Sequence, residues 1–228
     1  MISVVIPTLN AEASLVDSLS ALVPAAAEGL VREVIVADGG SRDGTLEIAD
    51  AAGCRIVTSE AGRGLQLATG ASLARWPWLL FLHADTILEE GWRREVRSFI
   101  ETADARGGEA AAAFAFALDD FGLRPRLLER LVAARCALLR LPYGDQGLLV
   151  SRRLYDRLGG FKPIPLMEDV DLVRRIGRGR LHMLHSRAVT SAARYRRDGY
   201  FGRAGRNLLC LGLYLAGVSP GRIARFYD

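Results

Sequence analysis

An uninterrupted apolar run from Trp78 to Leu82 ends in His83-Ala84-Asp85, and a second, Val34-Ile35-Val36-Ala37, ends in Asp38-Gly39-Gly40-Ser41. Strands buried on both faces read as continuous apolar runs, and in open α/β sheets ligands collect just beyond their carboxyl ends. Both acids are therefore candidates for one shared pocket, although either could simply cap the turn that follows it. Asp85 by itself suffices for a hard divalent cation whose remaining positions are filled by substrate phosphate and water, the way Mg²⁺ and Mn²⁺ are commonly held. His83 either assists in holding that cation or only hydrogen-bonds nearby, and the second reading is preferred. Ala61-Gly62-Arg63-Gly64 precedes a stretch rich in Ala and Leu. Free backbone N–H groups at a helix start, with Arg63 adding charge, suit a diphosphate, and an ordinary glycine turn has the same spacing. Glu168-Asp169 opens an amphipathic segment, where the helix dipole favours negative charge.

The elements that must position these groups follow from apolar periodicity. Short apolar runs at Ser3 to Pro7, Val34 to Ala37, Arg55 to Thr58, Trp78 to Leu82 and Ala112 to Leu118 read as strands with helices between them, the pattern of βαβ units around a mostly parallel sheet. Trp92, Val96, Phe99 and Ile100 recur at helical spacing and are read as core. A helix is expected from Pro125 to Arg140, with Pro at its start. After Leu141 the alternation fails, and residues 142–147 and 159–165 read as loops, where binding groups concentrate. Leu172 and Ile176 mark the buried face of the helix that Glu168 and Asp169 begin.

The 228 residues show no linker, repeat or charge block, so one domain is expected. The cations are 29 Arg and Lys162. Arg grips phosphates bidentately, and GC-rich codon usage produces the same bias. No DNA- or RNA-binding pattern accompanies it, so no nucleic-acid partner is expected. Cys54, Cys136 and Cys210 form no C-x-x-C pair, which fits a reducing, cytoplasmic setting. No secretory signal is expected at the N-terminus. His182-x-x-His185 lacks a Cys or carboxylate partner in sequence and is read as core or surface rather than zinc-binding. No Walker A loop or dinucleotide fingerprint is present. The uncharged window from Asn207 to Gly221 is 15 residues, against about 20 for a spanning helix. With the arginines upstream it reads as a docked C-terminal helix first. An interfacial helix at the inner face of the cell membrane is the second reading.

In order, Val4-Val5-Ile6-Pro7-Thr8-Leu9-Asn10, Val36-Ala37-Asp38-Gly39-Gly40-Ser41-Arg42-Asp43-Gly44-Thr45, Gly62-Arg63-Gly64, His83-Ala84-Asp85 and Glu168-Asp169 resemble the family 2 glycosyltransferases over roughly residues 2–185. Within that family the chain looks most like a small bacterial branch with His-Ala-Asp in place of Asp-x-Asp, followed by Gly-Asp-Gln and a late Ser-Ala-x-Arg-Tyr stretch, here Ser191 to Tyr195. The resemblance implies an α/β GT-A fold in a single domain. Residues 1–120 would form the nucleotide-sugar-binding half, 121–190 the acceptor and catalytic half, and 191–228 a C-terminal helical tail. It further implies that Pro7, Thr8, Leu9, Asp38, Arg63 and Ala84 serve the nucleotide, that Asp85 holds Mn²⁺ or Mg²⁺, and that Asp145 and Gln146 face the acceptor. A turn residue and a buried amide are the plainer readings of those last two. Asp169 would be the general base, Glu168 the alternative, in inverting transfer from a nucleoside-diphosphate sugar to a hydroxyl acceptor. Two departures stand out: His83 replaces the first carboxylate of the metal motif, and Ala11 stands where many relatives have Glu. A sugar nucleotidyltransferase would want a Gly-rich loop with Arg or Lys soon after the first strand, where this chain has Pro-Thr-Leu-Asn. A non-catalytic nucleotide-sugar binder is opposed by the intact Glu168-Asp169 pair.

Overall fold

The computed structural model describes residues 1–227. Its centre is one eight-stranded sheet: β1 (Ile2–Thr8), β2 (Val31–Asp38), β3 (Arg55–Thr58), β4 (Trp78–Phe81), β5 (Thr86–Leu88), β6 (Ala111–Asp119), β7 (Leu148–Ser151) and β8 (Leu181–Ser191), in the order β3-β2-β1-β4-β7-β6-β8-β5. The β3-β2-β1-β4 block is parallel throughout, as the βαβ pattern requires. Strand β7 then enters antiparallel to both β4 and β6, while β6 and β8 run parallel and β5 closes the far edge antiparallel to β8.

Alternation along β1 divides the core. Val4 and Ile6 point to a layer that includes Leu15, Leu19, Trp92 and Val96, from α1 (Glu12–Ser20) and α5 (Trp92–Ala105). Val5 points the other way, onto Leu67 and Ala71 of α4 (Arg63–Leu73), in a layer that continues to Leu172 and Ile176 of α8 (Glu168–Ile176). Period-2 side chains on a sheet covered on both faces produce this division. Smaller helices α2 (Val23–Ala27), α3 (Thr45–Ala51) and α7 (Arg152–Arg157) complete the two layers. The expected helix from Pro125 to Arg140 is α6 (Leu123–Leu139), and α9 (Ala193–Asp198), α10 (Tyr200–Leu215) and α11 (Pro220–Tyr227) follow β8.

Each of the five strands expected from sequence is present. The apolar run at 148–151 inside the irregular stretch, and the long β8, went unread because β8 mixes His, Arg and Ser with its apolar residues. Beyond Leu141 only Gly144–Gln146 forms a 3-10 turn before β7 begins, so the expected loop is short.

Candidate active site

The parallel register brings the rim together. Thr8 at the end of β1 lies opposite Asp38 at the end of β2, and Val5 pairs with Phe81, so the chain leaving β4 emerges beside the end of β1. Gln66 ties this rim to α4. Its side-chain amide donates to the carbonyls of Thr8 and Ala37 at 2.7 and 2.8 Å, from a position 4% exposed. The His83-Ala84-Asp85 turn is clipped on two sides: Ser18 donates its hydroxyl to the Ala84 carbonyl at 2.8 Å, and the Ser191 N–H donates to the Asp85 carbonyl at 3.0 Å.

Helix α8 points its N-terminus at the same rim. The chain enters it through Met167 in the left-handed region, φ 67°, a tight turn that delivers Glu168 and Asp169 beside α4. Gly64 makes room for that approach. A Cβ there would lie 2.5 Å from the Lys162 carbonyl oxygen and 3.2 Å from the Glu168 Cβ. Gly144 does the same on the opposite wall, where a Cβ would lie 2.8 Å from His83 Nε2. Its N–H donates to Asp169 Oδ2 at 2.7 Å.

Two adjoining cavities result, and Arg63, His83, Asp85, Glu168 and Arg194 line both. The larger, about 570 Å³, is walled by Pro7, Thr8, Leu9 and Ala84 from the rim of β1 and β4. The smaller adds Asp145, Asp169 and Tyr143 with Arg203 and Asn207 from α10. Of the residues expected from sequence, Pro7, Thr8, Leu9, Arg63, Ala84, Asp85, Asp145, Glu168 and Asp169 all converge here.

Two expected residues do not face the cleft. Asp38 is 1% exposed, and both of its oxygens are taken: Oδ1 accepts from Thr8 Oγ1 at 2.8 Å and from the Ser41 hydroxyl, and Oδ2 from the N–H groups of Gly40 and Ser41 at 2.9 and 2.8 Å. Burial raises its carboxyl, but the Ser41 and Thr8 hydrogen bonds outweigh this and hold it below the usual range. These bonds cap the turn after β2 and let Asp38 shape the rim from behind Thr8. Gln146, expected at the acceptor, is also 1% exposed; its amide donates to the Phe114 carbonyl at 2.9 Å and accepts from Arg135 at 3.1 Å. It is a buried amide whose oxygen also accepts from the Tyr143 N–H, so it holds the Tyr143–Gly147 turn from behind the cleft wall.

Charge in the cleft is unevenly distributed. Burial lifts the Asp145 carboxyl to about 6; Arg135 pulls against that, and Asp169 and Asp85 add to it. Burial and the adjacent Asp169 push Glu168 upward, opposed by Arg63. The Arg63 guanidinium lies 3.6 Å from Glu168 Oε1, close enough for an ion pair and too far for a hydrogen bond, and that oxygen and Asp145 Oδ1 are both buried without a hydrogen-bond partner. Burial, with Arg63 and Arg194 facing it, keeps the His83 imidazole well below its ordinary value and so neutral. Carboxylates with unfilled acceptors, set against guanidiniums, suit a cation together with a polyanion. Among the described residues no group of three His, Cys, Asp or Glu side chains could enclose a metal. Asp85 therefore fits a cation only as one ligand among several, with phosphate oxygens and water supplying the rest.

Sequence reasoning missed Gln66, Tyr143, Arg135, Arg194, Arg203 and Asn207. Arg135 stacks over the Tyr143 ring at 3.5 Å and so supports the cleft wall from outside. Arg194 lies within the Ser191 to Tyr195 stretch already noted, and Arg203 and Asn207 are spaced i, i+4 on one helix face. That spacing was the available signal, but only the packing of α10 says which way the face points.

A model of the glycosyl transferase family 2 matches residues 3–133, more than half of the chain and all of the parallel block but Ile2. The chain belongs to that family. Glucosyl-3-phosphoglycerate synthase of Mycobacterium tuberculosis (strain H37Rv) is 52% identical over 62 residues, which are 26% of this chain and 18% of that protein. A PGL/p-HBAD biosynthesis glycosyltransferase of Mycobacterium bovis (strain BCG / Pasteur) is 35% identical over 109 residues, 40% of this chain and 37% of that one. The chain thus matches well under half the length of these relatives. Among solved structures, the M. tuberculosis glucosyl-3-phosphoglycerate synthase with Mn²⁺, UDP and phosphoglyceric acid superposes with a TM-score of 0.64 at 24% identity, covering 96% of this chain and 79% of that one. S. aureus TarS 1–349 superposes at 0.63 with 17% identity, covering 97% and 68%. The fold is the GT-A fold of this family.

Proposed function

We propose that the chain transfers a sugar from a nucleoside-diphosphate sugar to a hydroxyl acceptor, with inversion at the anomeric carbon. The observation that carries this reading is the convergence of Asp85, Arg63 and Arg194 with Glu168 and Asp169 on two joined cavities at the carboxyl rim of the sheet. The nucleotide occupies the larger cavity against Pro7, Thr8, Leu9 and Ala84, and residues 1–120 are its half. Residues 121–190 supply the acceptor side through Asp145 and Asp169, and the tail from 191 onward adds Arg194, Arg203 and Asn207.

Arg63 and Arg194 neutralise the diphosphate as it departs, so their charge acts where negative charge develops. A Mn²⁺ or Mg²⁺ ion held by Asp85 would add Lewis-acid stabilisation of the same leaving group. Asp169 takes the acceptor proton: it is half-buried, lines the acceptor cavity and is aimed by the Gly144 N–H. Glu168, behind it and held up in pKa by burial, pairs with Arg63 and keeps that guanidinium over the cleft. One direct displacement with the base on the acceptor side inverts the anomeric centre, by analogy with the opposite-face attack of inverting glycosidases.

Uridine diphosphate is the first nucleotide to test, because the related synthase was solved with it. Calorimetry with UDP and Mn²⁺ should show binding to the wild type and to Asp169→Asn, and none to Asp85→Ala. Slow Mn²⁺-dependent hydrolysis of a UDP-sugar should be absent from both variants. Unchanged affinity in Asp85→Ala, or full turnover in Asp169→Asn, would reassign the metal ligand or the base.

A further inference from the structure

Helix α6 packs inward through Leu128 and Cys136, and its opposite side is not polar. Leu123, Leu127, Leu131 and Leu138 are all exposed, Leu123 at 89% and Leu138 at 72%. At 100° per residue these four fall within one narrow arc, a continuous apolar stripe facing solvent. Phe121, in the turn that leads into the helix, is 94% exposed. Helix α10, which meets α6 through Tyr200, Ala204 and Val132, repeats the pattern. Phe201, Leu208 and Leu215 recur every seventh residue along it and are exposed, with Leu209 beside them. Single exposed leucines need no explanation, whereas exposed stripes on two adjoining helices do.

The charge around the stripes identifies what would cover them. Helices α6, α9, α10 and α11 carry eleven of the chain's 30 cationic residues, and of its 26 acids only Glu129 and Asp198. With a total charge of only +4, the remainder of the molecule is net negative. Arg124, Arg130, Arg196, Arg197 and Arg206 are all exposed. Apolar stripes set among arginines, on a molecule otherwise acidic, match a surface that is itself apolar beneath an anionic layer.

We propose that α6 and α10 form a peripheral docking face for an anionic phospholipid bilayer. No helix among the described residues is long and apolar enough to cross a membrane, so the contact is interfacial. The stripes enter the boundary between headgroups and acyl chains, and the flanking arginines pair with headgroup phosphates. Helix α10 also presents Arg203 and Asn207 to the cleft, so docking sets the cleft beside the bilayer surface.

Co-sedimentation of the full chain with vesicles tests this independently of any assignment in the cleft. Partitioning should rise at least about tenfold from phosphatidylcholine vesicles to vesicles with about a quarter phosphatidylglycerol, and high salt should reverse that rise. Leu123→Glu with Leu131→Glu, and separately Leu208→Ser, should lower partitioning at least about tenfold while the thermal midpoint and its response to UDP and Mn²⁺ stay in place. Equal partitioning of the wild type to both vesicle types, or binding insensitive to salt, would overturn the proposal without recourse to any variant. So would a stable dimer that ignores vesicles and dissociates on Leu131→Glu, since the stripes would then be covered by a second copy of the chain.

Discussion

Asp169 and Glu168 are neighbours in sequence with opposite surroundings. Glu168 is 2% exposed, while Asp169 is half-buried in the smaller cavity with Oδ2 held by the Gly144 N–H. Removing a general base costs about 10²- to 10⁴-fold, so Asp169→Asn should lose transfer by that factor with donor affinity unchanged, measured by steady-state kinetics beside calorimetry. Gly144→Ala is a second residue-scale test. Its Cβ would sit 2.8 Å from His83 Nε2; overpacking of this kind costs about 1–3 kcal/mol. The variant should unfold at correspondingly lower denaturant concentration and bind UDP with Mn²⁺ more weakly. The same scale explains which residue assignments were legible. An acid at a strand end announces a place at the rim and not its orientation. Asp85 and Asp38 share that signature, and only the hydrogen bonds of Ser41, Gly40 and Thr8 show that Asp38 is occupied.

At the scale of elements, the joints between helices and strands rest on single polar side chains. Gln66 joins α4 to the ends of β1 and β2 through two carbonyls. Gln66→Leu would leave both without their donor, costing about 1–3 kcal/mol, read as a lower midpoint in chemical denaturation. Glu95 on α5 fastens the outer edge of β8, accepting from the N–H groups of His185 and Ser186, each at 2.8 Å, and from the Ser186 hydroxyl. Partial burial raises this carboxyl, but those bonds outweigh it and hold the group near 2, against 4.5 when unpaired. A depressed folded value means the stabilisation is complete above the unfolded pKa and fades as pH falls from 4.5 toward 2. Glu95→Gln should therefore cost about 1–2 kcal/mol at neutral pH, with the gap to wild type closing in acid, as followed by urea titrations across that range. Helices with clean periodicity, such as α5 and α8, were readable because their apolar residues recur on one face. Strand β8 was not, since only four of its eleven residues are buried, and its place beside β6 is a long-range pairing that no local pattern encodes.

One sheet runs through the whole molecule, and the ends of its parallel block, the start of α8 and the C-terminal helices line the two joined cavities. A ligand that bridges these parts and binds only the folded chain stabilises it by mass action, about 2.7 kcal/mol at a hundred times its Kd. For a chain of this size that corresponds to a rise of roughly 5–10 °C in Tm. UDP with Mn²⁺ should produce it in a thermal-shift experiment, and UDP with a chelator should fall well short. The tail contributes Arg194, Arg203 and Asn207 to the same cleft, so deleting it should weaken the shift even though the parallel block stays intact.

Sequence alone determined the parallel half of the sheet and the candidate residues at its rim. Apolar runs, their terminal acids, the glycine-flanked arginine and the Glu-Asp pair are local patterns, each set by the periodicity and charge of a few consecutive residues. Tertiary structure alone decided that Asp38 and Gln146 work from behind the cleft wall, that arginines from α9 and α10 enter it, and that apolar stripes on the adjoining helices α6 and α10 lie bare. Those outcomes depend on which partner a side chain finds across 30 or more residues, as Thr8 finds Asp38 and Gln146 finds Phe114. A hydrogen-bonding group has the same sequence signature whether protein or ligand satisfies it.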